Sequence, residues 1–226
     1  MATYDLEEQE QLAEIKVWWK QYGNLLINVA TAAAVIAIAW QGWNWYQRNQ
    51  SAQASMIYSV LQKAVIDKDT QRIKAASGEL VEKFSGSSYA SLGALMTAKA
   101  LIDGGDAKTA KLQLQWVVDH GRDELRELAR LRLAAVLLDE KAYDEALKQL
   151  DGKVSAGFAA RFADNRGDVL AAQGKSAEAQ AAYQGALAKL DEESRAKNAE
   201  QGWQGQSGAV YRELLQQKLD AVGGSK

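Results

Sequence analysis

Residues 18–46 constrain this chain most, because their length and pattern are those of a single membrane-spanning helix. No charged residue occurs in residues 25–40. A helix needs roughly 20 apolar residues to cross the hydrocarbon core of a bilayer, and tryptophan and tyrosine gather at its two boundaries with water. The expected interface anchors are Trp18, Trp19, Tyr22, Trp40, Trp43, Trp45 and Tyr46. We therefore predict that the chain crosses a lipid bilayer once, near its start.

Three other interpretations fit this segment less well. A cleavable signal peptide has a basic start and a small-residue cleavage site, whereas acidic residues precede this segment and bulky aromatics follow it. A core helix of a soluble protein does not need aromatic bands at both ends. An interfacial helix has a charged face, which residues 25–40 lack.

Basic residues flank the segment unequally. Lys16 and Lys20 precede it, whereas Arg48 follows it and the next basic residue is Lys63. Because lysine and arginine accumulate on the cytosolic side, this bias predicts a cytosolic N-terminus and a larger domain outside the cytosol. We expect a cytosolic amphipathic lead-in at residues 1–20, a transmembrane helix at residues 21–46 and a folded domain at residues 47–226.

Composition indicates that this domain is helical. The chain has no proline and no cysteine, and it is rich in alanine, leucine, glutamine, lysine and glutamate. Strand-type alternation of apolar and polar residues is missing. The formal net charge is −2, and the basic residues do not cluster, so we expect no nucleic-acid partner.

Three segments of the domain share one pattern, in which an apolar helix and a turn precede a helix with a conspicuous small residue. These small residues, Ala110, Ala146 and Ala179, are 36 and 33 residues apart. A period of about 34 residues is typical of tetratricopeptide repeats. The preceding helices are expected at residues 92–102, 128–138 and 162–172. The predicted fold is all-α, with one N-terminal transmembrane helix followed by a tetratricopeptide-like helical solenoid; a plain helical bundle is the alternative.

The ends of such an array are expected to be atypical. Residues 55–84 resemble a pair of helices broken near residues 67–70, and residues 209–222 resemble a final helix. The expected apolar side of the final helix consists of Val210, Tyr211, Leu214 and Leu215. Residues 191–206 are polar and contain Gly202 and Gly205, so we expect a loop or a poorly ordered connection there.

The residue types needed for catalysis or metal binding are scarce. His120 is the only histidine and sits beside Gly121, where a helix-end or surface role is the simpler interpretation. One histidine without cysteine does not make an ordinary zinc site, and no phosphate-binding glycine motif or nucleophile elbow is present. We therefore expect no cofactor and no enzyme activity, and instead a surface that binds other polypeptides.

The first helix of each repeat is expected to line a concave groove. The candidate groove residues are Leu92, Leu95, Leu128, Leu131, Arg161, Asp164 and Asp168. An apolar patch that grades into a charged one suits a partner helix or an extended segment. Two alternatives stay open: the leucines are ordinary core residues, or residues 209–222 cover them.

Four motifs together resemble those of one family. The chain reads KVWWKQYG at residues 16–23 before the membrane segment and WNWYQ at residues 43–47 after it. The repeats contain ADNRGD at residues 163–168 and QGK at residues 173–175. This layout closely resembles the YfgM family, the ancillary subunits of the bacterial Sec translocon, nearly end to end.

The resemblance implies a bacterial inner-membrane protein whose tetratricopeptide-like domain lies in the periplasm. It implies association with SecYEG, with the periplasmic chaperone PpiD and with exported polypeptides, and it brings no catalytic residues. The implied function is a non-catalytic scaffold that links the translocon to periplasmic chaperones. The alternatives are an envelope-assembly adaptor and a regulatory protein that acts through its cytosolic lead-in.

Overall fold

The computed structural model describes residues 3–201 and 207–223, and every regular element in these ranges is an α-helix. Side chains are described for residues 16–196 and 208–223. The helices are α1 Thr3–Ile66, α2 Thr70–Lys83, α3 Ser88–Asp103, α4 Ala107–His120, α5 Asp123–Asp139, α6 Tyr143–Leu150, α7 Ala156–Ala172, α8 Ser176–Gln201 and α9 Ser207–Gly223. The predicted all-α class is confirmed.

The chain divides into two compact units, residues 1–52 and residues 53–226, with the boundary inside α1. In the first unit, α1 is long and apolar enough to cross a membrane. Its large apolar side chains point outward; Ile36 and Ile38, for example, are 69% and 70% exposed. Because the apolar window is almost entirely unburied, α1 is not the core helix of a soluble domain here.

In the part of the second unit that the structure describes, four pairs of helices are each connected by a turn of the same type. The turns follow α1, α3, α5 and α7, and in each one residue adopts a left-handed backbone. These residues are Lys68, Gly105, Lys141 and Gly174, with φ of 54°, 82°, 61° and 77°. The next backbone N–H in each turn donates to a carbonyl five residues earlier, as Asp106 does to Leu101 at 2.8 Å. This is the Schellman ending of a helix, and its recurrence confirms the repeat pattern.

Small residues allow the paired helices to approach each other closely. Ala110, Ala146 and Ala179 are fully buried, as the sequence pattern requires. At Gly167 in α7, an added Cβ would overlap the ring of Tyr183 in α8. Glycine is therefore required at this position by the aromatic ring that faces it.

Among the described residues of the second unit, three apolar clusters follow one another along the helices. The first joins the end of α1 to α2 and α3, the second extends from α3 to α7, and the third joins α7, α8 and α9. Each helix contacts its neighbours in sequence from α2 to α9, and α5 also contacts α3 and α7. Neighbouring pairs therefore share core residues, as in a solenoid.

The helices at the two ends of the repeat array agree in part with the predictions from the sequence. The pair of helices broken near residues 67–70 is confirmed, because α1 ends at Ile66 and α2 begins at Thr70. The final helix is also confirmed as α9.

Two details of this end are corrected. The expected loop was wrong for residues 191–201, which continue α8; their alanine, glutamate, lysine and arginine favour helix despite their polarity. Residues 202–206 lie outside the described residues. The apolar side of α9 consists of Tyr211, Leu215, Leu219 and Val222. Val210 and Leu214 instead are 72% and 45% exposed.

Candidate functional site

The four candidate groove leucines differ in burial. Leu95 in α3 and Leu131 in α5 are only 3% and 6% exposed and belong to the cluster that joins α3 to α7. Leu92 and Leu128 are half-buried and keep part of their surface accessible. The accessible apolar part of this face therefore lies at Leu92 and Leu128, one helical turn before each of the two buried leucines.

An arginine ties the first helices of neighbouring repeats together beside these leucines. The guanidinium Nη1 of Arg132 in α5 donates to the backbone carbonyl of Leu95 in α3 at 3.2 Å. Burial lowers the pKa of Arg132, because a partly dry environment disfavours the charged guanidinium. The contact fixes α3 against α5 on the face that the candidate residues share.

The candidate residues for the charged end of the predicted groove, Arg161, Asp164 and Asp168, lie on α7. Asp164 and Asp168 are four residues apart and therefore share one side of the helix. Asp164 is only 7% exposed, Asp168 is half-buried and Arg161 is exposed. A carboxylate as buried as that of Asp164 must be paired, since an isolated buried charge is costly.

That pairing comes from α8 and α9. Lys218 of α9 places its Nζ 2.8 Å from a carboxylate oxygen of Asp164 and 2.8 Å from one of Asp168. The hydroxyl of Tyr211, also on α9, donates to Asp164 at 3.0 Å, and the hydroxyl of Tyr183 on α8 donates to Asp168 at 2.8 Å. Tyr211 and Lys218 are seven residues apart, so both face α7 from the same side of α9.

The ionisation of these groups follows from burial and charge. Burial alone would lower the pKa of Lys218, but the hydrogen bonds and charges of Asp164 and Asp168 outweigh it, and its pKa is raised. Burial and the neighbouring aspartates raise the pKa of Tyr183 and of Tyr211. The tyrosines therefore stay protonated and donate, while the lysine stays charged.

The arrangement offers recognition chemistry. Two oriented carboxylates on one helix face bind an ammonium group through charge-assisted hydrogen bonds. Within the described residues, no group of three or more histidine, cysteine, aspartate or glutamate side chains is placed to hold a metal ion. His120 ends α4, where its Nδ1 lies 3.0 Å from the carbonyl of Trp116 and its ring stacks on that tryptophan.

The aromatic interface anchors fall into two groups along α1. Trp18 and Tyr22 lie with ring centroids 5.9 Å apart, and Trp43 and Tyr46 lie 6.2 Å apart. The interval from residue 22 to residue 43 corresponds to roughly 32 Å of helix. That length matches the ~30 Å hydrocarbon core of a bilayer. Trp19, Trp40 and Trp45 are also exposed, at 55%, 68% and 69%.

Sequence reasoning identified the aspartates but missed their partners. Tyr211 was expected only as an apolar packing residue, and the sequence analysis predicted no role for Lys218. The signal was available in part, because Lys218 follows Tyr211 by two helical turns on a face that is otherwise apolar. Which helix that face meets depends on tertiary packing, which one sequence does not show.

Comparison with known proteins identifies a family and several proteins that this chain resembles. The model of a tetratricopeptide repeat-like domain family matches residues 16–224. A protein of Neisseria gonorrhoeae named ancillary SecYEG translocon subunit is 34% identical over 96% of this chain and 98% of its own length. A protein of the same name from Escherichia coli is 30% identical over 81% of this chain and 88% of its own length. A solved fragment of MamA from Desulfovibrio magneticus superposes with a TM-score of 0.47 at 18% identity, covering 76% of this chain and 93% of the fragment.

Proposed function

The chain belongs to the tetratricopeptide repeat-like family of ancillary SecYEG translocon subunits, and we propose from this membership that it is a non-catalytic, membrane-anchored scaffold of protein export. In this role it links the Sec translocon to periplasmic chaperones and assists newly exported polypeptides. The observation that carries the proposal is the end-to-end match to a relative of that name, which includes both the membrane segment and the repeats.

Each part of the chain has a feature suited to this role. The apolar α1 with its two aromatic groups provides an anchor in the same bilayer as a membrane channel. The repeats provide a face with half-buried leucines and a charged end, which suits polypeptide partners. A chaperone of the PpiD type and exported chains are the proposed partners of that face.

The proposed location is the bacterial inner membrane, with a cytosolic N-terminus and a periplasmic repeat domain. The support is the larger number of basic residues before the membrane segment, Lys16 and Lys20 against Arg48. In this orientation the repeats lie on the side where exported chains emerge.

Site-specific photo-crosslinking in cells tests the proposal. A photo-reactive residue at Ala34, which is exposed on α1, is expected to trap a subunit of the Sec channel. Probes at Leu92 and Leu128 are expected to trap a chaperone or exported chains, because these positions keep accessible surface, whereas Leu95 and Leu131 are buried. A probe at Leu112, 66% exposed on the second helix of a pair, is the matched control and is expected to trap neither.

The outcomes separate the competing functions. If no probe traps a Sec component, the translocon assignment fails, and trapping of cell-wall or division proteins instead supports an envelope adaptor. If the channel is trapped from Ala34 but Leu92 and Leu128 give no more product than Leu112, the scaffold keeps its anchor role and its chaperone-binding face lies elsewhere.

A further inference from the structure

The charged end of the groove is shaped to hold one lysine. Asp164 and Asp168 lie one helical turn apart on α7, and a single nitrogen, Lys218 Nζ, lies 2.8 Å from an oxygen of each. Tyr183 on α8 orients Asp168 through a hydrogen bond of 2.8 Å that does not involve α9. Part of the site is therefore in place whether or not α9 is bound.

The helix that supplies this lysine is weakly buried. In the described part of α9, residues 208–223, Leu215 is the only fully buried side chain, whereas α7 buries six residues along the same length. Val210 and Leu214 of α9 also leave large apolar surfaces exposed. Elements with few buried contacts open at a lower free energy than the core. We therefore expect α9 to detach more readily than the paired helices.

We infer that Asp164 and Asp168 form a lysine-binding site that α9 occupies in the free protein and that a lysine-bearing amphipathic helix of a protein partner takes over. This inference rests on the proposed function, because it names the kind of partner that the charged end of the groove accepts. Binding of the partner then requires release of α9. Helices that bind the site more weakly than α9 are therefore excluded.

The helix α9 itself defines the chemistry of the partner. Its contacting residues are Tyr211, Leu215, Lys218, Leu219 and Val222, which form one stripe of a helix. A matching partner carries a lysine within an apolar stripe, with an aromatic hydroxyl two turns before it. Lysine suits the site better than arginine, because a compact ammonium bridges two separate carboxylates while a guanidinium fork favours two oxygens of one carboxylate.

A peptide that copies α9 tests the exchange directly. The probe is a fluorescein-labelled peptide of residues Ser207–Gly223, added to the full chain in lipid nanodiscs, with binding followed by fluorescence anisotropy. In the chain, Lys218→Ala weakens the internal competitor while leaving both aspartates, so peptide affinity is expected to rise about tenfold over the unsubstituted chain. The control Gln217→Ala, at an exposed position of α9, is expected to leave affinity unchanged.

Two further variants test which groups are responsible. A peptide with Lys218→Ala is expected to bind at least about tenfold more weakly than the unaltered peptide, because both carboxylates then lack their ammonium partner. The chain with Asp164→Asn and Asp168→Asn is expected to bind both peptides equally weakly. Equal binding of the two peptides to the K218A chain, or no gain in affinity from K218A, overturns the inference.

A reversible lock tests the same point without removing any residue of the site. The chain has no cysteine, and a Cβ at Gly208 of α9 would lie 4.0 Å from the hydroxyl oxygen of Ser194 in α8. The double variant Gly208→Cys, Ser194→Cys is therefore placed to form a disulfide that ties α9 to α8. Mass spectrometry under non-reducing conditions verifies the bond.

The oxidised form is expected to lose peptide binding and to regain it when reduced, and Gly208→Cys alone is the control. Equal peptide binding by the oxidised and reduced forms overturns the inference, and this result does not depend on how K218A folds. Neither peptide-binding assay contains a translocon. Conversely, the crosslink from Ala34 does not require α9 to move. Failure of the lysine site and failure of the proposed function are thus separate results.

Discussion

At the scale of single residues, the turns within the repeats show one backbone geometry adopted by two kinds of residue. Gly105 and Gly174 have positive φ values that glycine tolerates without cost. Lys68 and Lys141 occupy the same position in the other two repeats with φ of 54° and 61°. The left-handed region costs a residue with a Cβ roughly 1–2 kcal/mol. The repeats therefore carry a small strain at the two lysines, which the Schellman hydrogen bonds hold in place.

Replacing one of these lysines by glycine is expected to stabilise the domain. Lys141→Gly relieves the strain at φ 61°, so the free energy of unfolding is expected to rise by about 0.5–1 kcal/mol. Urea unfolding of the purified protein in detergent, followed by circular dichroism, measures the change. The same substitution at Lys148, an exposed position inside α6, is the control and is expected to destabilise by about 1 kcal/mol. Loss of stability in K141G contradicts the strain argument.

A second residue-scale prediction concerns acid. Asp106 caps α4 by accepting from the backbone N–H of Thr109 at 3.1 Å and also pairs with Lys74 at 3.0 Å. These bonds lower the pKa of Asp106 from 3.8 to about 2. Since the folded pKa lies below the unfolded one, the stabilisation is present above pH ~4 and disappears as the pH falls through about 2.

The D106N variant is therefore expected to be less stable than the unsubstituted chain at pH 5 and to converge with it near pH 2. Thermal midpoints over a pH series measure the gap. Lys74→Met keeps the cap and removes only the ion pair, so it is expected to lose part of the same stabilisation. A gap that is constant from pH 5 to pH 2 contradicts the assignment.

At the scale of elements, the close packing of paired helices depends on which residues meet. In the last repeat, Gly167 of α7 lies beneath the ring of Tyr183 in α8, and that ring also presents its hydroxyl to Asp168. The equivalent positions of the two preceding repeats are Ala98 and Ala134, both fully or nearly fully buried. The last repeat thus lacks one methyl group that the two preceding repeats have, and the space holds the ring of Tyr183. The hydroxyl of that tyrosine orients Asp168.

Adding that methyl group in the last repeat is expected to be harmful. Gly167→Ala forces the Tyr183 ring away and is expected to lower the free energy of unfolding by about 1–3 kcal/mol. Gly185→Ala is the matched control, because Gly185 is also helical but an added Cβ there meets nothing within 4 Å. It is expected to stabilise by about 0.5–1 kcal/mol. Urea unfolding compares the two, and equal effects contradict the packing argument.

At the scale of the whole molecule, the two units of the chain differ in where their apolar side chains lie. The first exposes apolar side chains along most of its described length, which water disfavours and lipid accepts. The second places its apolar residues in three internal clusters. This contrast is the one expected of a folded domain that a single apolar helix attaches to a bilayer.

The orientation of the chain has a direct test because cysteine is absent. Single cysteines at Asp5 and at Lys99 report the two sides of the membrane, and the Lys99 side chain is 67% exposed. In intact spheroplasts, a membrane-impermeant maleimide is expected to label Lys99→Cys and to leave Asp5→Cys unlabelled until the cells are lysed. Labelling of Asp5→Cys alone in intact spheroplasts reverses the proposed orientation.

The sequence by itself determined the membrane segment, the helical class and the repeat. These follow from local quantities: residues 25–40 carry no charge, proline is absent, and Ala110, Ala146 and Ala179 recur at one period. Polarity was a poor guide at residues 191–201, because a helix needs no apolar face where its intrinsic propensity is high. Local pattern therefore predicts elements well and their ends less well.

Tertiary structure alone decided which candidate residues are accessible and which are paired. A periodic pattern gives Leu92 and Leu95 neighbouring places on one face, yet only the packing of α3 against α5 buries Leu95 and leaves Leu92 half-exposed. Likewise, Asp164 and Lys218 are 54 residues apart in sequence, and they meet because α9 packs on α8 beside α7. Contacts between distant segments depend on how the helices stack, and no local periodicity specifies that stacking.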